Sequence, residues 1–468
     1  MSPRLTAALV AAVTCWTSPA SALGTPNVYD NYSTIPIGSR AAGMGGAYTA
    51  LACDEAALHY NVASLSCAAS SHLELTANAY VVQGLFARGE LGPGKDISAT
   101  TFHSIPSIVG AVRVLREGSA RTRFATYPGR LSFGFTVSVP SSVMIKIDPP
   151  NPSARNFASS SVRDDLTAGD LGLAYQINRE IAVGVSLGAV MRTADQNYSW
   201  LLVRGPGSAC PASRDCGAFV SYDASRSYLA IGLRAKAGLL VRPIKNFSFG
   251  LALTTPTLHV LGSAKESATV TRAHAQGYGA VPLRATGTSE VGLPLRLAAG
   301  MAYVKKRYTF TGDLSINFPR QVRFARDMTA QPIEGLSLAA VERTLDPTFQ
   351  PNVALGASVP FGPEKELNIG FFTDFSSVSP ADVARGSDRI HMVGGSMTLG
   401  LLGKQSRVWV GTSGEVGHTT TRVPGRAFAY DSVNVPGLPT DRLPVGGDAT
   451  LVRWTLVGIL GSNYAFLE

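Results

Sequence analysis

The amino-acid sequence predicts an all-β fold: a transmembrane antiparallel β-barrel of about fourteen strands with an N-terminal plug in its lumen. Three observations predict it. The chain opens on an export signal and has no later helix-forming apolar span, a period-two alternation recurs along its length, and its connections alternate between tight and long.

Arg4 precedes an apolar stretch from Leu5 to Trp16, and the small residues Ala20, Ser21 and Ala22 follow, so residues 1–22 read as a signal peptide cut after Ala22. Its apolar core is too short to cross a bilayer as a helix, and no later run reaches the roughly eighteen apolar residues a helix needs. Without such helices, only a closed barrel satisfies every backbone polar group in lipid. The expected location is therefore the outer membrane of a Gram-negative bacterium, with lipid around the wall and barrel-assembly machinery for insertion. The 468 residues include 48 Gly, 45% hydrophobic and 16% charged residues, a mixture suited to a wall between lipid and a crowded lumen.

Alternation identifies the strands. Leu131, Phe133, Phe135, Val137 and Val139 are separated by Ser132, Gly134, Thr136 and Ser138, giving one apolar face and one small or polar face. The same pattern returns at Leu171 to Ile177, Ile181 to Leu187, Leu229 to Ala235, Phe247 to Leu253, Leu293 to Leu297, Tyr308 to Phe318, Val353 to Phe361, Leu367 to Phe375 and Val452 to Leu456. Weaker runs at Leu73 to Phe86, Ile97 to Leu115, Ile390 to Leu402 and Arg407 to Gly417 complete an even number. A sandwich or propeller also alternates, but neither sorts its loops by parity.

The tight connections are Asn178 to Glu180, Arg242 to Asn246, Val304 to Arg307, Gly362 to Lys365 and Gly403 to Ser406. The long ones are Pro140 to Asp165, Leu201 to Tyr222, Gly262 to Glu290, Pro319 to Gln350 and Thr419 to Asp448. Barrels of this kind keep tight turns in the periplasm, which puts both termini there. The net charge of +9 is spread over these turns rather than gathered in a patch, so no nucleic-acid partner is expected.

Once Cys15 leaves with the signal, Cys53, Cys67, Cys210 and Cys216 remain. An even count in an oxidising compartment suggests Cys53–Cys67 and Cys210–Cys216, each closing a short segment, although three connectivities are open. No metal or cofactor is expected, because neither pair has C-x-x-C spacing and no His lies at ligand spacing.

Residues 23–70 do not alternate. They carry Gly38 to Ala52 and then Cys53 to Leu65, where the glycines allow tight packing or positive φ and Asp54 is placed to cap a short helix over Glu55 to Tyr60. Such a segment ahead of a barrel (residues 71–468) is suited to plugging the lumen; the alternative is an arm outside it. The segment resembles the N-terminus of the FadL-type family, outer-membrane barrels that move long-chain fatty acids and other hydrophobic compounds. The family pattern R-A-x-G-M-G-G-A-x-x-A, then A-x-D-x-A-A-L-x-Y-N-P-A-x-L, is met by Arg40, Gly43, Met44, Gly45, Gly46, Ala47, Asp54, Ala57, Tyr60, Asn61, Ala63 and Leu65. Val62 stands where the family has Pro, which implies a looser turn. The resemblance implies passive transport of a hydrophobic or amphipathic ligand, fatty-acid-like in chemistry. Relatives with this N-terminus also serve secretion machinery, so a scaffold in an envelope complex is the alternative.

Strand parity turns Arg234, Lys236 and Arg296 into the lumen, where they are candidates for holding a ligand carboxylate or for structural pairing with Asp313, Asp374, Asp54 or Glu55. No enzyme is expected: no P-loop Lys follows Gly43 to Gly46, and Gly411 to Gly414 lacks the nucleophile-elbow spacing.

Overall fold

The computed structural model describes residues 31–32, 36–68, 70–76, 79–88, 96–119, 127–147, 156–203, 219–274, 277–330, 343–384, 388–403, 405–421 and 449–465. Among these residues the chain forms a closed antiparallel barrel of 14 strands, five of them interrupted once. The strands are β1 (His72–Thr76, then Ala79–Arg88), β2 (Ile97–Ile105, then Ile108–Arg116), β3 (Leu131–Ile147), β4 (Asn156–Gln176), β5 (Ile181–Val203), β6 (Phe219–Val241) and β7 (Phe247–Thr254, then Leu258–His274). They continue as β8 (Gly277–Thr288, then Arg296–Lys305), β9 (Tyr308–Asn317, then Val322–Ala330), β10 (Arg343–Leu345, then Gln350–Pro360), β11 (Lys365–Asp374), β12 (His391–Leu402), β13 (Ser406–Thr421) and β14 (Ala449–Ala465). Each pairs with its neighbour, and β1 closes on β14 with Leu73 opposite Tyr464 and Val81 opposite Val457.

The wall has the two faces that alternation requires. In β5, Leu187 is 71% exposed and the adjacent Ser186 is 4% exposed, so the odd positions point out. Leu171, Leu173, Val185, Leu233 and Phe310 extend this apolar outer belt, of the kind lipid covers.

Two expectations are corrected. The long connections are shorter than the apolar pattern indicates, because β3 runs on to Ile147, β4 starts at Asn156, and β7 and β8 occupy most of 258–288. Beyond the apolar belt a strand needs no greasy outward residue, and stretches such as Ser159-Ser160-Ser161 continue the ladder without the signal. Leu293 is the second correction: residues 289–295 leave the sheet, and Leu293 is buried inside rather than facing out, so that part of β8 begins only at Arg296.

Proline explains the interruptions, since it cannot donate to the ladder. Pro106, Pro256, Pro294, Pro319 and Pro347 lie in the breaks of β2, β7, β8, β9 and β10, and Pro140 lies at a register shift in β3. The breaks stay bonded to one another, with Thr257 N–H donating to Leu293 O (3.1 Å) and Phe318 N–H to Leu295 O (2.9 Å). Val291, Leu293, Val322 and Phe324 turn inward there, forming an apolar cluster with Leu166, Val190 and Tyr228.

Residues 36–68 pack against the inward faces of the strands as α1 (Ser39–Gly43), α2 (Ala57–Tyr60) and a 3-10 turn (Val62–Cys67). The wall glycines make this fit possible. A Cβ at Gly172, Gly184, Gly238, Gly250, Gly356 or Gly370 would overlap atoms of Leu58, Ala63, Asn61, Thr49, Met44 or Gly45 respectively.

Candidate ligand site in the barrel lumen

Arg234 and Lys236 lie on β6 two residues apart, and both are buried on its inner face. Opposite them on β4 is Asp170, whose Oδ2 accepts from Lys236 Nζ at 2.9 Å and from Arg234 Nη2 at 3.2 Å. Lys236 also donates to Leu58 O at 2.7 Å, so one ammonium joins β4, β6 and the N-terminal segment. Arg296 on β8 borders the same cavity, and among the described residues no carboxylate bridges to it. Two of the three cations thus share the single carboxylate of Asp170. Its presence was readable in principle: Leu171, Leu173 and Tyr175 face out, which sends Asp170 in.

The cavity beside these cations has a volume of about 90 Å³ and is bordered by Tyr32, His59, Pro140, Leu166, Leu293 and Arg296. That is room for a polar headgroup or a few waters, not for a long chain. Leu166 and Leu293 also belong to the inward apolar cluster, so a polar end and an apolar path meet at this point. His59 reports on the local field: burial, together with Lys236, Arg296 and Arg234, holds its imidazole well below its ordinary range.

The N-terminal residues are held to the wall at points around its circumference. Arg40 pairs with Glu366 on β11 at 3.2 Å, and Gly45 N–H donates to Ser396 Oγ on β12 at 3.0 Å. Gly45 and Gly46 have φ of 65° and 78°, a conformation that disfavours a side chain, while Gly43 lies against Thr398. Asp313 on β9 accepts from the backbone N–H groups of Tyr48 (2.8 Å) and Thr49 (2.7 Å), which is its task instead of neutralising the β6 cations. Asp54 does not cap α2 with its side chain; it accepts from Tyr48 Oη at 2.6 Å, because the helix begins only at Ala57 and takes its first bond from the Asp54 carbonyl.

Asn61 closes the turn that Val62 was expected to loosen. Its Oδ1 accepts from Ala63 N–H (3.2 Å), and its Nδ2 donates to Thr49 O (2.9 Å) and to Leu239 O on β6 (3.0 Å). Val62 is buried, and Tyr60 Oη accepts from Ile37 N–H at 3.3 Å. Cys53 and Cys67 are joined in a disulfide within the segment, while Cys210 and Cys216 lie outside the described residues. Glu55 is fully buried, and its carboxylate lies 3.0 Å from His72 on β1. Burial pushes the Glu55 carboxyl up to about 7, with the His72 contact opposing and Asp54 adding to the rise.

No protein-family model matches the sequence, and no curated protein matches it either. Solved structures do. A FadL homologue of Pseudomonas aeruginosa superposes with a TM-score of 0.61 at 13% identity, over 93% of this chain and 100% of that one. The Pseudomonas putida toluene transporter TodX gives 0.60 at 15% identity over 94% and 100%, and the Ralstonia pickettii toluene transporter TbuX gives 0.55 at 14% over 92% and 98%. At these identities the likeness is one of architecture, and it extends over nearly the whole chain: the fold is that of the FadL-type outer-membrane barrels.

Proposed function

We propose that the protein is a passive conduit for hydrophobic or amphipathic small molecules across the outer membrane, with residues 23–70 as the plug of its lumen. The observation that carries this reading is the cavity beside Arg234, Lys236 and Arg296, set at the edge of the inward apolar cluster. A carboxylate suits Arg296, to which no carboxylate bridges among the described residues, and an acyl chain or aromatic ring suits the cluster. The names of the structural neighbours, a FadL homologue and two toluene transporters, support the same class of cargo. In this reading the apolar belt faces lipid, the tight turns and both termini face the periplasm, and insertion depends on barrel-assembly machinery.

Reconstituted liposomes test it with two probes, laurate and toluene. Uptake of either one above that of empty liposomes is the expected result. Uptake of neither by correctly inserted protein would overturn the reading.

A further inference from the structure

A second cavity is larger than the one beside Asp170. It lies at the tight-turn end, below the N-terminal segment, with a volume of about 630 Å³, in the range of sites that hold drug-sized ligands. Its border is amphipathic: Leu51 of the segment, Phe247 of β7 and Val304 of β8 supply apolar surface, and Arg242, Lys306 and Arg407 supply charge. Arg40 also borders it but is paired with Glu366, and among the described residues Asp54 is the one bordering carboxylate, already accepting from Tyr48.

Arg242 is the best-placed of the cations. Its turn is tied down, since Arg242 N–H donates to Glu180 O (2.7 Å) in the neighbouring turn, and Val304 N–H donates to Asn246 O (2.8 Å) on the other side. Among the described residues no carboxylate pairs with its guanidinium. Burial accordingly pushes it down to about 10, with nothing acidic to counter the effect. A half-buried, uncompensated guanidinium beside apolar surface is costly to leave alone and stabilises whatever anion brings an apolar tail with it.

We propose that this cavity is a second ligand site, which receives an anionic amphiphile with its acid group on Arg242 and its chain along Leu51, Phe247 and Val304. The site deepens the conduit reading, on which it rests, by giving the cargo a station on the far side of the N-terminal segment. The anion has two sources of the same chemistry, a free fatty acid or an anionic phospholipid.

The test uses the full chain in phosphatidylcholine nanodiscs, titrated with laurate by calorimetry and counted by native mass spectrometry. Two laurates are expected on the wild type. Arg242→Gln should weaken one of them at least tenfold and leave dodecanol binding unchanged, while Arg242→Lys retains both. Phosphatidylglycerol in the disc displacing the Arg242-dependent laurate would support the site and identify lipid as its competitor. Laurate bound by Arg242→Gln in the same number and strength as by the wild type would overturn the proposal, as would equal loss of laurate and dodecanol. Failure of the lumen reading is scored separately, by whether Arg296→Gln alters the other laurate.

Discussion

Asp170 and Arg296 divide the labour of the lumen charges, and single substitutions separate them. Asp170→Asn leaves Arg234 and Lys236 buried without a counter-charge, and breaking a buried pair from one side typically costs about 3–5 kcal/mol. The heat-modification temperature on gels is expected to fall markedly. Arg296→Gln breaks no ion pair among the described residues, so that temperature should hold while laurate affinity drops about tenfold, the worth of roughly 1.4 kcal/mol of charge-assisted bonding. Glu55 makes a separate claim on pH. Its folded-state value of about 7 lies above the ordinary carboxyl value, so the folded segment holds a proton that the released one does not. Docking is therefore strongest below the ordinary value and weakens as pH rises through about 7. Ion leak through planar bilayers should rise between pH 5.5 and 8, and Glu55→Gln should flatten that rise; an equal rise in the variant would place the titrating group elsewhere.

At the scale of elements, the seam between the N-terminal segment and the wall is built from missing Cβ atoms. Gly238 on β6 admits Asn61 and Ala63, so Gly238→Leu is expected to displace the turn and raise ion leak several-fold without unfolding the barrel, checked by conductance alongside heat modification. How far this was legible differs by element. Strands with apolar outward residues, such as β4 and β5, declare themselves by parity, and parity alone also turns Arg234 and Lys236 inward. The strand extensions beyond the belt do not, since serine and threonine carry the ladder there without contrast between faces. The prolines were legible in a different way. Pro140 and Pro319 read as loop starts because a proline ends most strands, yet in a barrel wall the neighbouring strands restore pairing one to seven residues later. Glycine abundance was visible as composition, but which glycines face the segment depends on long-range register that no local pattern encodes. Val62 shows the same limit: the loosening expected from losing proline is offset by Asn61, whose bonds reach Leu239, 178 positions away.

For the molecule as a whole, the decisive question is what keeps the N-terminal segment against the inner face of the wall. The Cys53–Cys67 disulfide cannot do so, because both cysteines belong to the segment and the bond closes a loop of it on itself. The attachments run to β1 through Glu55, β6 through Leu58 and Asn61, β9 through Tyr48 and Thr49, β11 through Arg40 and β12 through Gly45. Bonds spread around the circumference oppose a swing of the segment as one body, since each must break in the same event. The barrel has the reverse independence: its ladders run strand to strand and close through β1 and β14 without a residue of the segment. Deleting residues 36–68 is therefore expected to leave a heat-modifiable barrel whose conductance in planar bilayers is at least tenfold that of the wild type. Reducing the wild type with dithiothreitol should leave conductance within about twofold. A rise on reduction equal to that of the deletion would mean that the disulfide, and not the distributed bonding, holds the segment to the wall.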